Sequence, residues 1–533
     1  MPVVSKMPRA PVRTDESGVL SHHFEMAGDR LLLNWNWSLL VLWLVIGGGG
    51  LARANEPSSR LTALMQKHQE TFEHFAADLE AVAGTCQANQ MADLAAEIRQ
   101  IAQPLESQPG NIDQLPAQVQ PDLPANLPEA EKAARVRVRK LRNDYSKALY
   151  ALSLKAQRDH HASLAYRLVR EVLLHDPDHA EARRLFGYRR AGNEWTTPFA
   201  IDMKNKGKVW HDEFGWIESK YLARYLEGER FYKGKWMPAA KEAALRANFP
   251  NGWDINTEHF EIKTNYSQKK GAQLAAKVEV FHRYFMREFV AFYQTPQQLE
   301  TLFTSGTSAR RENRYRVHHY RLQQEFVQCL APKCPVAGQI KGIYMPGDRT
   351  AYFFQNPKIT EAESLETLYH EVTHQLLSES TSQTDPVGHV HDFWAIEGIA
   401  CYHESFHVAD DGTISVGDLN HPRIKAARDQ VVVTQDQEPL ARFTAAGMLQ
   451  FQKGDLPTLQ KRYAQATGLA HFLMNGKDGL YRDGFIEYLA QIYSPDQRVR
   501  VKNAKTLEQI LGVPYATLDK EYAAHFQAMS PKK

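Results

Sequence analysis

The segments HEVTHQ, at residues 370–375, and WAIEGIACYHE, at residues 394–404, decide how this chain is interpreted. His370 and His374 are four residues apart, so on a helix they lie on one face and can offer two imidazole nitrogens to one ion. Glu397 in the second segment is the candidate third ligand. Because two imidazoles and one carboxylate suit Zn²⁺ in a catalytic site, these residues predict a zinc centre.

The sequence around both segments indicates helices. Thr360 and Glu363 fit a capping box at the start of the first helix, and apolar residues recur at helical spacing over residues 365–376. Asp392 is the expected N-cap of the second helix. Gly398 lies inside that helix, where glycine costs about 1 kcal/mol relative to alanine, so we expect another backbone to approach closely there.

Together the two segments resemble the paired signatures of the gluzincin metallopeptidases, the group that includes thermolysin and related aminopeptidases. The wider pattern, including residues 463–474, resembles the bacterial DUF1570 family of peptidase MA-like proteins. The resemblance implies zinc ligands at His370, His374 and Glu397, a general base at Glu371 and a transition-state tyrosine at Tyr463. No Gly-Ala-Met-Glu-Asn type segment precedes the first helix, so aminopeptidase activity is not supported.

The residue types define a hydrolytic mechanism. Zinc held by three protein ligands keeps a position for water, whose pKa falls to roughly 7 in such sites. Glu371 is the expected general base, which accepts the water proton and passes it to the leaving amine. Tyr463 and His471 are the two candidates for a donor to the oxyanion. The alternatives are that Tyr463 anchors a core helix and that His471 is a packing histidine.

Two further side chains lie close to the predicted ligands. Glu404, seven residues after Glu397, returns to nearly the same helical face and can accept a hydrogen bond from a ligand imidazole. Cys401 lies one turn after Glu397 and is expected to pack against the first helix rather than to bind the metal.

Composition excludes several classes of protein. The 533 residues have 43% hydrophobic content, which supports two to three domains with ordinary cores. The formal net charge is only +2 and the basic residues are dispersed, so we expect no nucleic-acid partner.

The amino terminus predicts export. An apolar run at residues 38–51 is followed by Ala52-Arg53-Ala54, which fits a signal peptide over residues 1–54 that is cleaved after Ala54. Translation starting at Met26 would leave a leader of more usual length. An uncleaved membrane anchor is the alternative, and only in that case is a membrane a partner. Both readings place the protein outside the cytoplasm, in the periplasm, in the cell envelope or secreted.

Four cysteines are too few for a disulfide-dense scaffold. Cys329 and Cys334 enclose a short loop, and either a disulfide between them or two reduced thiols fits this spacing.

Changes in residue pattern divide the chain. We predict an α+β protein, in which a gluzincin-like domain with a small sheet and a helical subdomain follows a helical region and a small β-rich module. The predicted units after the signal peptide are a helical segment with a Pro-rich linker (55–128), a helical hairpin of tetratricopeptide type (129–187), a Trp-rich β module (188–250) and the metallopeptidase domain (251–533). Strands are expected at residues 259–264 and 342–354, ahead of the zinc helix.

The most specific interpretation is an exported zinc metallopeptidase that acts on peptide or protein substrates. The alternative is a non-enzymatic cell-envelope interaction protein with a structural or degenerate zinc site. The intact Glu371 favours the enzyme, because a structural site needs no general base.

Overall fold

The computed structural model describes residues 56–103, 115–304, 306, 313–380, 387–410 and 412–529. Over these residues the chain is a mixed α+β protein in which helices predominate and the sheets are small, as the sequence predicts. The predicted signal peptide, residues 1–54, lies outside the described residues. Among the described helices, none has the length and apolar character needed to cross a bilayer.

Five helices form the amino-terminal region and share one hydrophobic core. They are α1 (Glu56–Ala88), α2 (Ala92–Ile101), α3 (Glu129–Arg158), α4 (Ala162–His175) and α5 (Ala180–Leu185). Helices α3 and α4 pack against each other, and α1 packs along α3. At this contact the rings of Phe75 and Tyr145 stack with centroids 4.2 Å apart, and the Tyr145 hydroxyl donates to buried Glu171. The helical hairpin within residues 129–187 is therefore covered by α1.

The Trp-rich region contains three β-hairpins, each followed by a short helix, rather than one sheet. The first unit is β1 (Arg189–Ala191), β2 (Glu194–Thr196) and α6 (Pro198–Asn205); the second is β3 (Lys208–His211), β4 (Gly215–Glu218) and α7 (Leu222–Leu226); the third is β5 (Glu229–Tyr232), β6 (Lys235–Pro238) and α8 (Ala239–Leu245). Trp195, Trp216 and Trp236 each lie in the second strand of a unit. These equivalent positions define an internal repeat that the sequence analysis missed.

The described end of the Pro-rich stretch contacts the first hairpin. The backbone N–H of Trp195 donates to the carbonyl of Ala117, and that of Val119 donates to the carbonyl of Asn193. Residues 117–119 therefore extend the edge of the first hairpin.

A five-stranded sheet begins the carboxyl-terminal part, with strand order β10-β11-β9-β8-β7. Its elements, with the intervening helices, are β7 (Trp253–Asn256), β8 (Phe260–Thr264), α9 (Gln268–Glu288), α10 (Val290–Tyr293), α11 (Pro296–Thr304), β9 (Tyr315–Tyr320), α12 (Gln323–Leu330), β10 (Gly342–Met345) and β11 (Thr350–Phe354). The strand expected at residues 259–264 is confirmed, whereas residues 342–354 form a hairpin. Strands β7 and β9 were not predicted.

Most of the regular structure in the described residues after β11 is helical. They are α13 (Glu361–Glu379), α14 (Phe393–His403), α15 (Pro422–Asp429), α16 (Leu440–Thr444), α17 (Met448–Phe451), α18 (Leu456–Asn475), α19 (Arg482–Ile492), α20 (Leu507–Leu511) and α21 (Tyr515–Ala528), with a small hairpin of β12 (His407–Val408) and β13 (Ile414–Ser415) after α14. Helix α13 packs with α9 on the sheet and also contacts α14. The capping box of Thr360 and Glu363 at the start of α13 is confirmed.

The role predicted for Asp392 is wrong. Asp392 occupies the N-cap position of α14, but its side chain makes no capping hydrogen bond and its backbone is left-handed, with φ of 67°. The carboxylate instead accepts a hydrogen bond from the Tyr488 hydroxyl and contacts the ring of His391. A tertiary contact with α19 therefore competes successfully with local capping.

Gly398 lies at a close contact between α14 and α18. A Cβ atom at this position would lie 2.5 Å from the carbonyl oxygen of Ala466, a distance that real Cβ atoms do not adopt. The approach expected from the sequence is therefore made by the backbone of α18. This contact fixes α14, which carries Glu397, against the helix that carries Tyr463.

Replacing Gly398 with alanine is expected to destabilise the fold by about 1–3 kcal/mol, because the two helices must move apart. Gly84→Ala in the exposed part of α1 is the matched control, since nothing lies within 4 Å of its Cβ position. That change is expected to stabilise the chain by about 0.5–1 kcal/mol. Urea unfolding measures both, and equal effects of the two changes would contradict the close-packing explanation.

Cys329 and Cys334 are both free thiols. Cys329 is exposed and Cys334 is buried. Of the two alternatives, the structure therefore shows two reduced thiols and no disulfide between them.

Candidate metal centre

Three side chains from α13 and α14 converge at the centre of the carboxyl-terminal part. The Nε2 atoms of His370 and His374 lie 3.1 Å apart, and Glu397 places its oxygens 3.6 Å from His370 Nε2 and 3.9 Å from His374 Nε2. In tetrahedral zinc sites, bonds of about 2.0–2.1 Å separate neighbouring ligand atoms by about 3.3 Å. The observed spacing fits one metal ion shared by the three side chains.

Glu397 provides an independent test of whether a cation fits. Its side chain is fully buried, and neither carboxylate oxygen forms a hydrogen bond with the described residues. An isolated ionised carboxylate is very unfavourable away from water unless a positive charge compensates it. The donor set of two imidazoles and one orphaned carboxylate therefore fits a divalent ion.

The surroundings of His370 also favour positive charge. Burial alone would lower the pKa of this imidazole, but Cys401, Glu397 and Glu404 outweigh burial and raise the pKa well above its usual value. The negative potential that raises the pKa of His370 would also attract a metal cation.

Glu371 lies beside the two histidines on α13 and is almost fully buried. The backbone N–H of Tyr344 donates to Glu371 Oε2 at 2.8 Å. Tyr344 belongs to β10, one of the two edge strands of the sheet, so the sheet orients the carboxylate predicted as general base. Local sequence contained no signal for this contact, because the two residues are 27 positions apart.

Tyr463 lies on α18, and its ring is 3% exposed. Burial raises the pKa of its hydroxyl well above 10, and Glu397 and Cys401 raise it further, while Arg423 and Gln452 oppose them. The phenol is therefore protonated and available as a donor near the cluster. Tyr493 is a second tyrosine whose pKa is raised by burial and by Glu397. The sequence analysis missed Tyr493, which no motif marks.

His471 is not brought to the cluster. Its Nδ1 lies 2.9 Å from Nε2 of His525, and its Nε2 lies 3.1 Å from the carbonyl oxygen of Gly417. Burial lowers its pKa to about 4, so the ring is neutral at physiological pH. Both ring nitrogens contact groups outside the cluster of His370, His374 and Glu397. In this structure His471 is therefore a packing histidine.

Comparison with known proteins bears on this part of the chain alone. A family model described as "Protein of unknown function (DUF1570)" matches residues 364–494. These residues form a DUF1570 domain. The match contains His370, Glu371, His374, Glu397 and Tyr463. No curated protein and no solved structure matches the chain.

A carboxylate and an arginine of the DUF1570 domain hold the ring of His370 through Nδ1, the nitrogen that does not face His374. Glu404 Oε1 lies 2.8 Å from His370 Nδ1, and Arg423 Nε donates to Glu404 Oε2 at 2.5 Å. Such a partner fixes the tautomer and the direction of a ligand imidazole. Glu404 was expected from its helical spacing, whereas Arg423 comes from α15 and could not be placed from the motif.

Cys401 lies on the same side as Glu404. Its Sγ is 3.8 Å from His370 Nδ1, which is the nitrogen that contacts Glu404 and not the one that faces His374. His370, Cys401 and Glu404 form a second group with spacing suited to a metal. Because His370 Nδ1 lies 2.8 Å from Glu404 and 3.8 Å from Cys401 Sγ, the carboxylate rather than the thiol is the outer support of the imidazole.

A further titratable pair borders the candidate metal centre within the DUF1570 domain. Glu366 lies one turn before His370, and its Oε1 is 3.8 Å from His421 Nε2. Burial raises the pKa of Glu366 to about 7, and repulsion from Glu404 and Glu363 contributes to the rise. Glu366 is therefore partly protonated at neutral pH.

Replacing Glu366 with glutamine is expected to reduce the loss of stability that occurs as the pH rises from about 4.5 to about 7. The folded chain holds the Glu366 proton up to about pH 7, whereas the unfolded chain releases it near 4.5, so the wild type loses stability as the pH rises between these values. Thermal unfolding from about pH 5 to about pH 8 measures the difference between the two proteins. Parallel pH profiles would show that Glu366 is ordinarily ionised in the folded chain.

Proposed function

We propose that the chain is a zinc-dependent metallopeptidase of the gluzincin type. The convergence of His370, His374 and Glu397 carries the proposal, because three buried ligand groups share one small space next to a candidate base. The resemblance of both segments to paired gluzincin signatures supports the same conclusion.

In the proposed mechanism the protein supplies a general base, a hydrogen-bond donor to the oxyanion and a contact that orients the base. A bound zinc ion would polarise a substrate carbonyl and lower the pKa of a coordinated water to roughly 7. Glu371, held by the N–H of Tyr344, accepts the water proton and delivers it to the leaving amine. Tyr463, which burial keeps protonated, donates to the oxyanion that develops on the carbonyl, and loss of such a donor typically costs about 10²–10³ in rate.

A peptide is the substrate class that the surroundings favour. Strand β10 is one of the two edge strands of the sheet and lies directly beside Glu371. An extended peptide can pair with an edge strand, which places its backbone carbonyls in a defined register. This arrangement supports peptide or protein substrates over small isolated esters.

The proposed location is extracytoplasmic, in the periplasm, in the cell envelope or secreted. It rests on the apolar run and the Ala52-Arg53-Ala54 site, which precede the described residues.

Comparison of the wild type with Glu371→Gln tests the proposed function. The wild type should contain zinc and hydrolyse an unfolded protein such as casein, and the variant should contain zinc without hydrolysing it. A zinc-loaded wild type that cleaves no peptide bond in a mixed peptide library would overturn the proposal.

A further inference from the structure

A cavity whose lining differs from the candidate metal centre lies at the amino-terminal end of α13. Its volume is about 140 Å³, and it opens between α9, α13 and the ends of β9 and β11. None of the proposed metal ligands lines it. A buried water needs only about 10–15 Å³ of such volume, so this cavity has room for a small organic molecule.

Positive charge dominates the rim of the cavity. The Nζ atoms of Lys270 and Lys277 lie 3.2 and 2.7 Å from the same carboxylate, Glu361. Lys341 lies near Glu363 on α13 but forms no ion pair within the described part of the chain. Three lysines and one carboxylate, Glu361, line the cavity, which leaves an excess of positive charge for an anionic ligand.

The deeper wall is apolar. Leu368 and Phe353 are buried at 2% and 6% exposure, and half-buried Leu274 and Leu365 continue the apolar surface toward the rim. His319 lines the same wall, where burial and Lys270 lower its pKa to about 4, so the ring adds no charge. An apolar wall below a cationic rim favours a ligand that has both characters.

We propose that this cavity binds a small organic carboxylate with an apolar tail. The two lysines that share Glu361 already demonstrate how a carboxylate is held at this rim, and Lys341 is the further ammonium group available to a ligand carboxylate. The tail then lies on Leu368, Phe353 and Leu365, which removes apolar surface from water.

Binding of hexanoate to the full chain, measured by isothermal titration calorimetry, tests the proposal. Hexanoate should bind saturably, whereas hexylammonium, which has the wrong charge, and acetate, which lacks the tail, should bind at least about tenfold more weakly. Binding needs no hydrolysis and no metal, so the result does not depend on the proposed peptidase activity.

Lys341→Gln should weaken hexanoate binding by about tenfold or more, because a charge-assisted contact is lost. Lys269→Gln is the matched control, since Lys269 is an exposed lysine of α9 that pairs with Glu213 and does not line the cavity. Equal affinity for hexanoate and hexylammonium, equal effects of the two substitutions, or no saturable binding of hexanoate would each overturn the proposal.

Discussion

Glu371→Gln is expected to reduce peptide hydrolysis by about 10²–10⁴-fold while leaving the zinc content unchanged. Glutamine keeps the size of the side chain and can still accept the N–H of Tyr344, so the helix and the ligand geometry stay in place. It cannot accept a proton from water at neutral pH. The loss should therefore fall on kcat, because ground-state binding of the peptide does not need the carboxylate.

Steady-state kinetics on a fluorogenic peptide, together with metal analysis of the same sample, measures this effect. Glu487→Gln is the matched control, since Glu487 is an exposed glutamate of α19. Retention of full activity by Glu371→Gln would exclude this residue as the base and with it the proposed mechanism. Loss of zinc by the same variant would instead assign Glu371 a structural role.

Glu397→Ala is expected to weaken zinc binding by more than about 100-fold, since loss of an outer hydrogen-bonding partner already costs about 10–100-fold. At free zinc one hundred times the wild-type Kd, the wild type gains about 2.7 kcal/mol of stability from the metal. At the same zinc concentration the variant should gain less than about 0.5 kcal/mol. Thermal unfolding with and without zinc measures both gains.

Cys401→Ala is the informative control for this experiment. Cys401 and Glu397 both lie within reach of His370, but on opposite nitrogens of its ring. Cys401→Ala should therefore retain zinc affinity within a few-fold of the wild type. If Cys401→Ala loses zinc and Glu397→Ala retains it, the metal occupies the group of His370, Cys401 and Glu404 instead.

Several features of the candidate site could be predicted from local sequence. The four-residue spacing of His370 and His374, the capping box at Thr360 and the glycine at position 398 are short-range features, and each has a direct structural counterpart. Helical periodicity and composition were likewise sufficient for the α+β class. The match of residues 364–494 to DUF1570 agrees with the resemblance found in the same segments.

Other predictions depended on partners that are distant in sequence. Local sequence predicted Asp392 as an N-cap because it shows only neighbouring residues. In the structure the hydroxyl of Tyr488, 96 residues away, donates a hydrogen bond to the Asp392 carboxylate. His471 was a candidate donor until packing against His525 and Gly417 engaged both of its nitrogens. The roles of Asp392 and His471 thus depend on tertiary contacts that local sequence does not show.

The sequence alone determined which residues can bind a metal, because imidazole spacing on a helix depends only on helical geometry. Tertiary structure decided that Glu397 reaches those imidazoles, that Tyr344 orients Glu371 and that Arg423 supports Glu404. It also created the lysine-rimmed cavity, whose walls come from two helices, two strands and the adjoining loops. Each of these contacts joins separate elements, and their separation is set by core packing rather than by any local preference of the chain.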